Sequence, residues 1–139
     1  MRIAANPQLY DPSLDDPVLT GGECGHCGRV YFPALGIGCE MCGAPADQLR
    51  PKALAAEGVV HALAEVFVSP GKTPTPFTVA EIVLDAGPLI RAVVHQDSPE
   101  VRIGDRVVGR WSVVERRDDG GELVEPRFAS AAAANGIRA

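Results

Sequence analysis

The second half of the chain alternates apolar and polar residues with a period of two, the pattern of strands that bury one face. In Phe77-Thr78-Val79-Ala80-Glu81-Ile82-Val83-Leu84, the residues Phe77, Val79, Glu81 and Val83 share one face. Thr78, Ala80, Ile82 and Leu84 share the other. Similar β-branched and aromatic runs span Gly58 to Val68, Leu89 to His95, Arg106 to Glu115 and Leu123 to Phe128. Asp85-Ala86-Gly87-Pro88 and Asp118-Asp119-Gly120-Gly121 read as hairpin turns. Ser69 to Pro76 holds three prolines and reads as a loop. Pro126 fits a strand only where no ladder donor is needed. Five short strands with no long helical period predict a mainly β protein built on a five-stranded OB-fold barrel. The barrel is expected over residues 57–128, with Phe67, Phe77 and Phe128 in its core and Trp111 in the core or at the rim.

The first half reads differently. Pro7, Pro12 and Pro17 break residues 1–20, and Asp11, Asp15 and Asp16 offer little to bury. An extended N-terminal arm is expected there. Residues 21–48 lack alternation but carry a short strand, Val30 to Phe32, ended by Pro33. Around it Tyr31, Phe32, Leu35 and Ile37 give a small apolar skin, expected to pack on the barrel. Residues 129–139 have small side chains and no apolar stripe, and are expected to form a flexible tail.

Chemistry enters through the cysteines. The chain has four, as Cys24-Gly25-His26-Cys27 and Cys39-Glu40-Met41-Cys42, with eleven residues between the pairs. This C-x2-C…C-x2-C spacing is that of a four-thiolate metal site, so Cys24, Cys27, Cys39 and Cys42 are the candidate ligands. Gly28 and Gly43 follow the pairs, where the chain must curl back toward sulfur. Tetrahedral thiolate coordination suits zinc, with iron the next choice. Four protein ligands leave no open position, which points to structural rather than catalytic Zn2+. A signal peptide is not evident in Met1 to Pro7, so a cytoplasmic location is expected, where thiolate ligands prevail over disulfides. No apolar run is long enough to cross a membrane.

Composition narrows the function. The formal net charge is −5 and only 5% of residues are aromatic. Zinc ribbons and OB-folds both serve nucleic-acid binding, but that use relies on basic grooves and stacked aromatics. Catalytic groups are scarce. No cysteine is spare as an acyl nucleophile, no serine lies in G-x-S-x-G, and Gly36-Ile37-Gly38 runs straight into Cys39 rather than forming a phosphate loop. His26, His61 and His95 are the histidines; His26 is expected to face solvent, and the other two lie on predicted strands. No catalytic residue is assigned.

Taken together, these segments resemble one family: a rubredoxin-like zinc ribbon joined to an OB-fold, catalogued as a domain of unknown function, DUF35. The resemblance covers roughly residues 21–128. It rests on Cys24 to Gly28 with Val30-Tyr31-Phe32-Pro33, and on Cys39 to Gly43. Further on it rests on Gly58-Val59-Val60, Pro76 to Pro88, Val101 to Val107 and Leu123 to Phe128. Members of this family typically work beside thiolase-like enzymes whose subunits carry the chemistry. The resemblance implies a non-catalytic accessory subunit of a hetero-oligomer that supports acyl-CoA binding and turnover. The stretch Tyr31 to Ile37 and the Ser69 to Pro76 loop are then the expected contacts, with the individual CoA-binding residues unassigned. The alternative reading is a nucleic-acid-binding module, which the acidic charge argues against.

Overall fold

In a computed structural model, residues 1–71 and 74–137 are described, with the Asn135 side chain excepted. Among the described residues there are nine strands: β1 Arg2–Ala4, β2 Val18–Cys24, β3 Val30–Tyr31, β4 Leu49–Ala55, β5 Glu57–Val66, β6 Phe77–Leu84, β7 Leu89–Val93, β8 Arg106–Arg116 and β9 Glu122–Ser130. Single 3-10 turns lie at Ala46–Gln48 and Ala134–Gly136. No helix among the described residues is long and apolar enough to cross a membrane.

The larger sheet has the order β1-β9-β8-β5-β6-β7. A parallel bridge between Val94 and Phe128 joins its β7 end back to β9, closing five strands into an OB-like barrel. The alternation read in β6 is realised: Ala80, Ile82 and Leu84 are buried. They meet Val60, Ile90, Val101, Val107 and Phe128 in one core. Pro126 sits opposite Trp111 in the β8–β9 ladder. Trp111 directs its carbonyl away from β9, to the His95 ring, so that pair exchanges no ladder bonds and the missing N–H of Pro126 costs nothing.

The ribbon is a second sheet, β3-β2-β4. It extends past the expected range 21–48 on both sides, because β2 pairs along its whole length with β4, from Val18↔Ala55 to Cys24↔Leu49. Leu19 on β2 and Leu54 on β4 are buried within the barrel core, and Val30 and Phe32 pack against it. Ribbon and barrel therefore share one hydrophobic interior. Of the expected apolar skin, only Phe32 packs on the barrel core; Tyr31 and Leu35 cluster with the cysteines instead, and Ile37 is 95% exposed.

Three other expectations need correction. The N-terminal arm is not merely irregular. β1 pairs in parallel with β9, and Tyr10 is buried. The Tyr10 ring lies 5.7 Å from that of Trp111, and its hydroxyl donates to the Val124 carbonyl at 3.2 Å. Trp111 Nε1 donates to the Leu14 carbonyl at 2.9 Å, and the Arg2 guanidinium lies 5.5 Å over the same indole. Trp111 is thus the post to which the arm is strapped. Phe67 is 66% exposed rather than core, because it lies beyond the last β5–β6 pair, Val66↔Phe77, with no strand above it. The expected tail begins inside β9, and Ala129 and Ala134 are both buried. Its last two residues, Arg138 and Ala139, lie outside the described residues, as do Lys72 and Thr73 of the expected Ser69 to Pro76 loop.

Gly58 shows how tightly β5 and β6 approach. A Cβ there would collide with the Val83 carbonyl oxygen and stand 2.8 Å from Ile82 Cγ2. Backbone cannot yield as a flexible side-chain tip does. Gly58→Ala is expected to cost about 2 kcal/mol through overpacking, seen as a lower midpoint in urea unfolding at unchanged zinc content.

Candidate metal centre and barrel cavity

Two knuckles with matching hydrogen bonds bring the cysteines together. Cys24 N–H donates to the Arg29 carbonyl at 2.8 Å, and Gly28 N–H returns to the Cys24 carbonyl at 2.9 Å. The second knuckle repeats this: Cys39 N–H to the Ala44 carbonyl at 2.9 Å, and Gly43 N–H to the Cys39 carbonyl at 2.9 Å. Gly28 and Gly43 take φ of 80° and 78°, the left-handed conformation that closes each curl and that glycine adopts without strain.

All four Sγ atoms lie within 4.8 Å of one another. Cys24 and Cys42 sulfurs are 3.7 Å apart, and those of Cys27 and Cys39 are 3.6 Å apart. A tetrahedron with zinc–sulfur bonds near 2.3 Å has sulfur–sulfur edges of about 3.8 Å, so the donor set fits Zn2+. No disulfide joins the cysteines. One member of each pair, Cys24 and Cys39, is buried, while Cys27 and Cys42 face outward. His26 is exposed and lies outside the cluster.

The electrostatics also call for a cation. The Tyr31 hydroxyl lies 2.8 Å from the Cys39 sulfur, and that hydrogen bond is the chief reason the Cys39 thiol falls to about 6. Burial, and then the same contact, push the Tyr31 hydroxyl up to about 12, so it stays a donor. At Cys42 the Ala44 N–H favours the thiolate, yet desolvation and the three neighbouring sulfurs outweigh it and carry the thiol up to about 12. Four sulfurs at this range resist joint ionisation unless a divalent ion sits among them. Tyr31 is the residue the pattern of cysteines did not reveal: it was read as skin and serves as a hydrogen-bond donor to a ligand. Its place two residues after the turn of the first knuckle, beside a Phe-Pro, gave no sign of that role.

The barrel carries a cavity of about 690 Å3 lined by residues of β5, β6, β8, β9 and the 94–101 segment. His95 forms part of its lining and is 2% exposed. Its Nδ1 accepts from the Asp97 N–H at 3.1 Å, which requires Nε2 to carry the proton that bonds the Trp111 carbonyl at 3.1 Å. Both ring nitrogens are engaged, so His95 fixes structure. Arg127, also in the lining, is held by Glu125 at 3.1 Å. His61 is exposed on β5 and is not among the residues of this cavity.

Comparison with known proteins bears on both parts. Residues 13–48 match the family model of the ChsH2 rubredoxin-like zinc ribbon domain. The whole fold is similar to a chain of the solved structure described as "Ltp2-ChsH2(DUF35) aldolase", with a TM-score of 0.63 and 23% identity over 81% of this chain and 84% of that one. The family model thus matches the ribbon over residues 13–48, and the likeness at 23% identity shows a shared fold.

Two substitutions test the centre. Cys39→Ser should purify with little zinc by elemental analysis and unfold at lower denaturant; full stability in the metal-free state would contradict a structural site. Tyr31→Phe keeps the buried ring but removes the donor to sulfur. It should retain zinc yet weaken its hold about tenfold in chelator competition, as loss of a ligand's supporting hydrogen bond does.

Proposed function

We propose that this chain is the non-catalytic, zinc-binding subunit of a hetero-oligomer with a thiolase-like enzyme, and that it supports the partner's acyl-CoA binding and turnover. The observation that carries the reading is the union in one chain of a ChsH2-type ribbon with the fold found in the Ltp2-ChsH2(DUF35) aldolase structure. Zinc held by Cys24, Cys27, Cys39 and Cys42 would supply folding energy to the ribbon and no reactive position.

The chemistry of the remaining groups agrees. With all four thiols committed to metal, no sulfur is left as an acyl nucleophile. His95 has no free nitrogen to take a proton. The large cavity is lined by Glu65 and Glu100, and its one arginine is paired, which suits neither a phosphate backbone nor a nucleobase stacked under a cation. The carbon–carbon chemistry would then belong to the partner, and this chain would shape and exclude water from a shared boundary.

Affinity purification of the tagged chain from its native host, with mass spectrometry, tests the association. The expected result is a thiolase-fold enzyme whose acyl-CoA turnover rises when the chain is added back, while the chain alone is inert. Recovery of nucleic acid without such an enzyme, or thiolysis by the purified chain alone, would contradict the proposal.

A further inference from the structure

The barrel wall is split between β5 and β8. These strands pair only at Glu57↔Val108, Gly58↔Val107 and Val59↔Arg106. Val60 closes the run by donating to the Asp105 carbonyl at 3.0 Å and accepting from the Gly104 N–H at 2.9 Å. Past the bulge that follows Val60, β5 pairs with β6 alone.

The direction of the main-chain groups beyond that point follows from the ladder. Val94 N–H donates to the Thr78 carbonyl, so Thr78 and Ala80 address β7, and Val79 and Glu81 address β5. The bonded β5–β6 pairs are then Ala62↔Glu81 and Ala64↔Val79. Leu63 and Glu65 turn their N–H and C=O groups the other way, into the split. On the opposite wall, Gly109 N–H donates across to the Ala56 carbonyl, which sets Trp111 and Val113 toward the gap. His95 fills the base of the split by capping the Trp111 carbonyl. Above it lies the cavity, with Leu63 and Glu65 on one wall and Val113 on the other.

Edge strands are normally blunted by lysine, proline or cover. The free run of β5, His61-Ala62-Leu63-Ala64-Glu65-Val66, contains neither lysine nor proline. It leads to Phe67 and Val68, 66% and 88% exposed. Glu65 and Glu100 both line the cavity, and neither has an ion-pair partner among the described residues. An open edge, a hollow that mixes apolar side chains such as Leu63, Val101 and Val113 with polar ones, and two exposed carboxylates define a complementary guest.

We propose that the β5–β8 split is a strand-addition site that takes an extended segment of a partner protein. The segment pairs with the outward amides of Leu63 and Glu65, sets an apolar side chain in the cavity, and places a basic residue opposite Glu65 and Glu100. The partner's identity rests on the accessory reading above; the geometry of the site rests on the split alone. The two carboxylates make a phosphate-bearing ligand a poor occupant.

The test is a 15N-resolved NMR titration of the full, zinc-loaded chain with an acetylated, amidated hexapeptide of alternating lysine and valine. The expected result is saturable shifts at the amides of Leu63, Glu65 and Val113, with no binding by the glutamate–valine counterpart. Glu65→Pro removes one outward donor without touching the β6 ladder, and should weaken the peptide about tenfold with signal dispersion kept. Glu65→Gln should weaken it less. Shifts confined to other residues, no shifts, equal binding by Glu65→Pro, or response of these amides to pantetheine and not to the peptide would each overturn the site. Should the peptide fail while the native chain still recovers a thiolase-like enzyme, the accessory reading stands and the strand site falls.

Discussion

Convergence of four sulfurs is the constraint from which the first half of this molecule follows. Between Cys24 and Leu49 the chain has few regular bonds: a two-residue strand, one 3-10 turn and two knuckles. Such a stretch cannot bury enough apolar surface to offset the entropy of ordering it. A shared divalent ion replaces that missing core. Tyr31 joins the two requirements, since one buried side chain packs beside Leu35 and Leu49 and donates to the Cys39 sulfur.

What the clasp organises is not a free-standing module. β2 and β4 carry Leu19 and Leu54 into the barrel interior, and β4 runs into β5 through the single residue Ala56, itself buried. On the far side Trp111 ties the N-terminal arm to β8 through Tyr10 and the Leu14 carbonyl. A barrel thus braced on two sides leaves its β5–β8 seam unzipped, with His95 as the wedge that satisfies the Trp111 carbonyl.

The sequence was legible where a single physical rule dominates. Period-two alternation located β5 through β9 to within a few residues, because each of these strands buries one face in the barrel. The cysteine spacing picked out the four sulfurs that the fold brings together, because coordination geometry permits few alternatives. Legibility failed where structure depends on partners distant in sequence. Arg2-Ile3-Ala4 has no alternation to display and becomes a strand only because β9 offers it an edge. β4 contains Pro51 and Lys52 and is recruited by β2. Tyr10 looks like one aromatic residue among prolines until Trp111 comes to meet it. His95 was an ambiguous strand histidine, and only the Asp97 and Trp111 contacts assign it to structure. Phe67 was counted as core on hydrophobicity alone, although the chain supplies nothing to cover it.

The central claim is that metal holds the two knuckles in shape while the barrel strands are held by the hydrophobic interior they share with β2 and β4. Amide hydrogen exchange on the zinc-loaded and chelator-stripped chain measures this segment by segment. The account predicts that stripping abolishes protection at Gly28, Cys39 and Gly43, whose N–H groups close the knuckles, while the amides of β6 and β7 keep theirs. Unchanged protection of the knuckle amides after complete metal removal would contradict it.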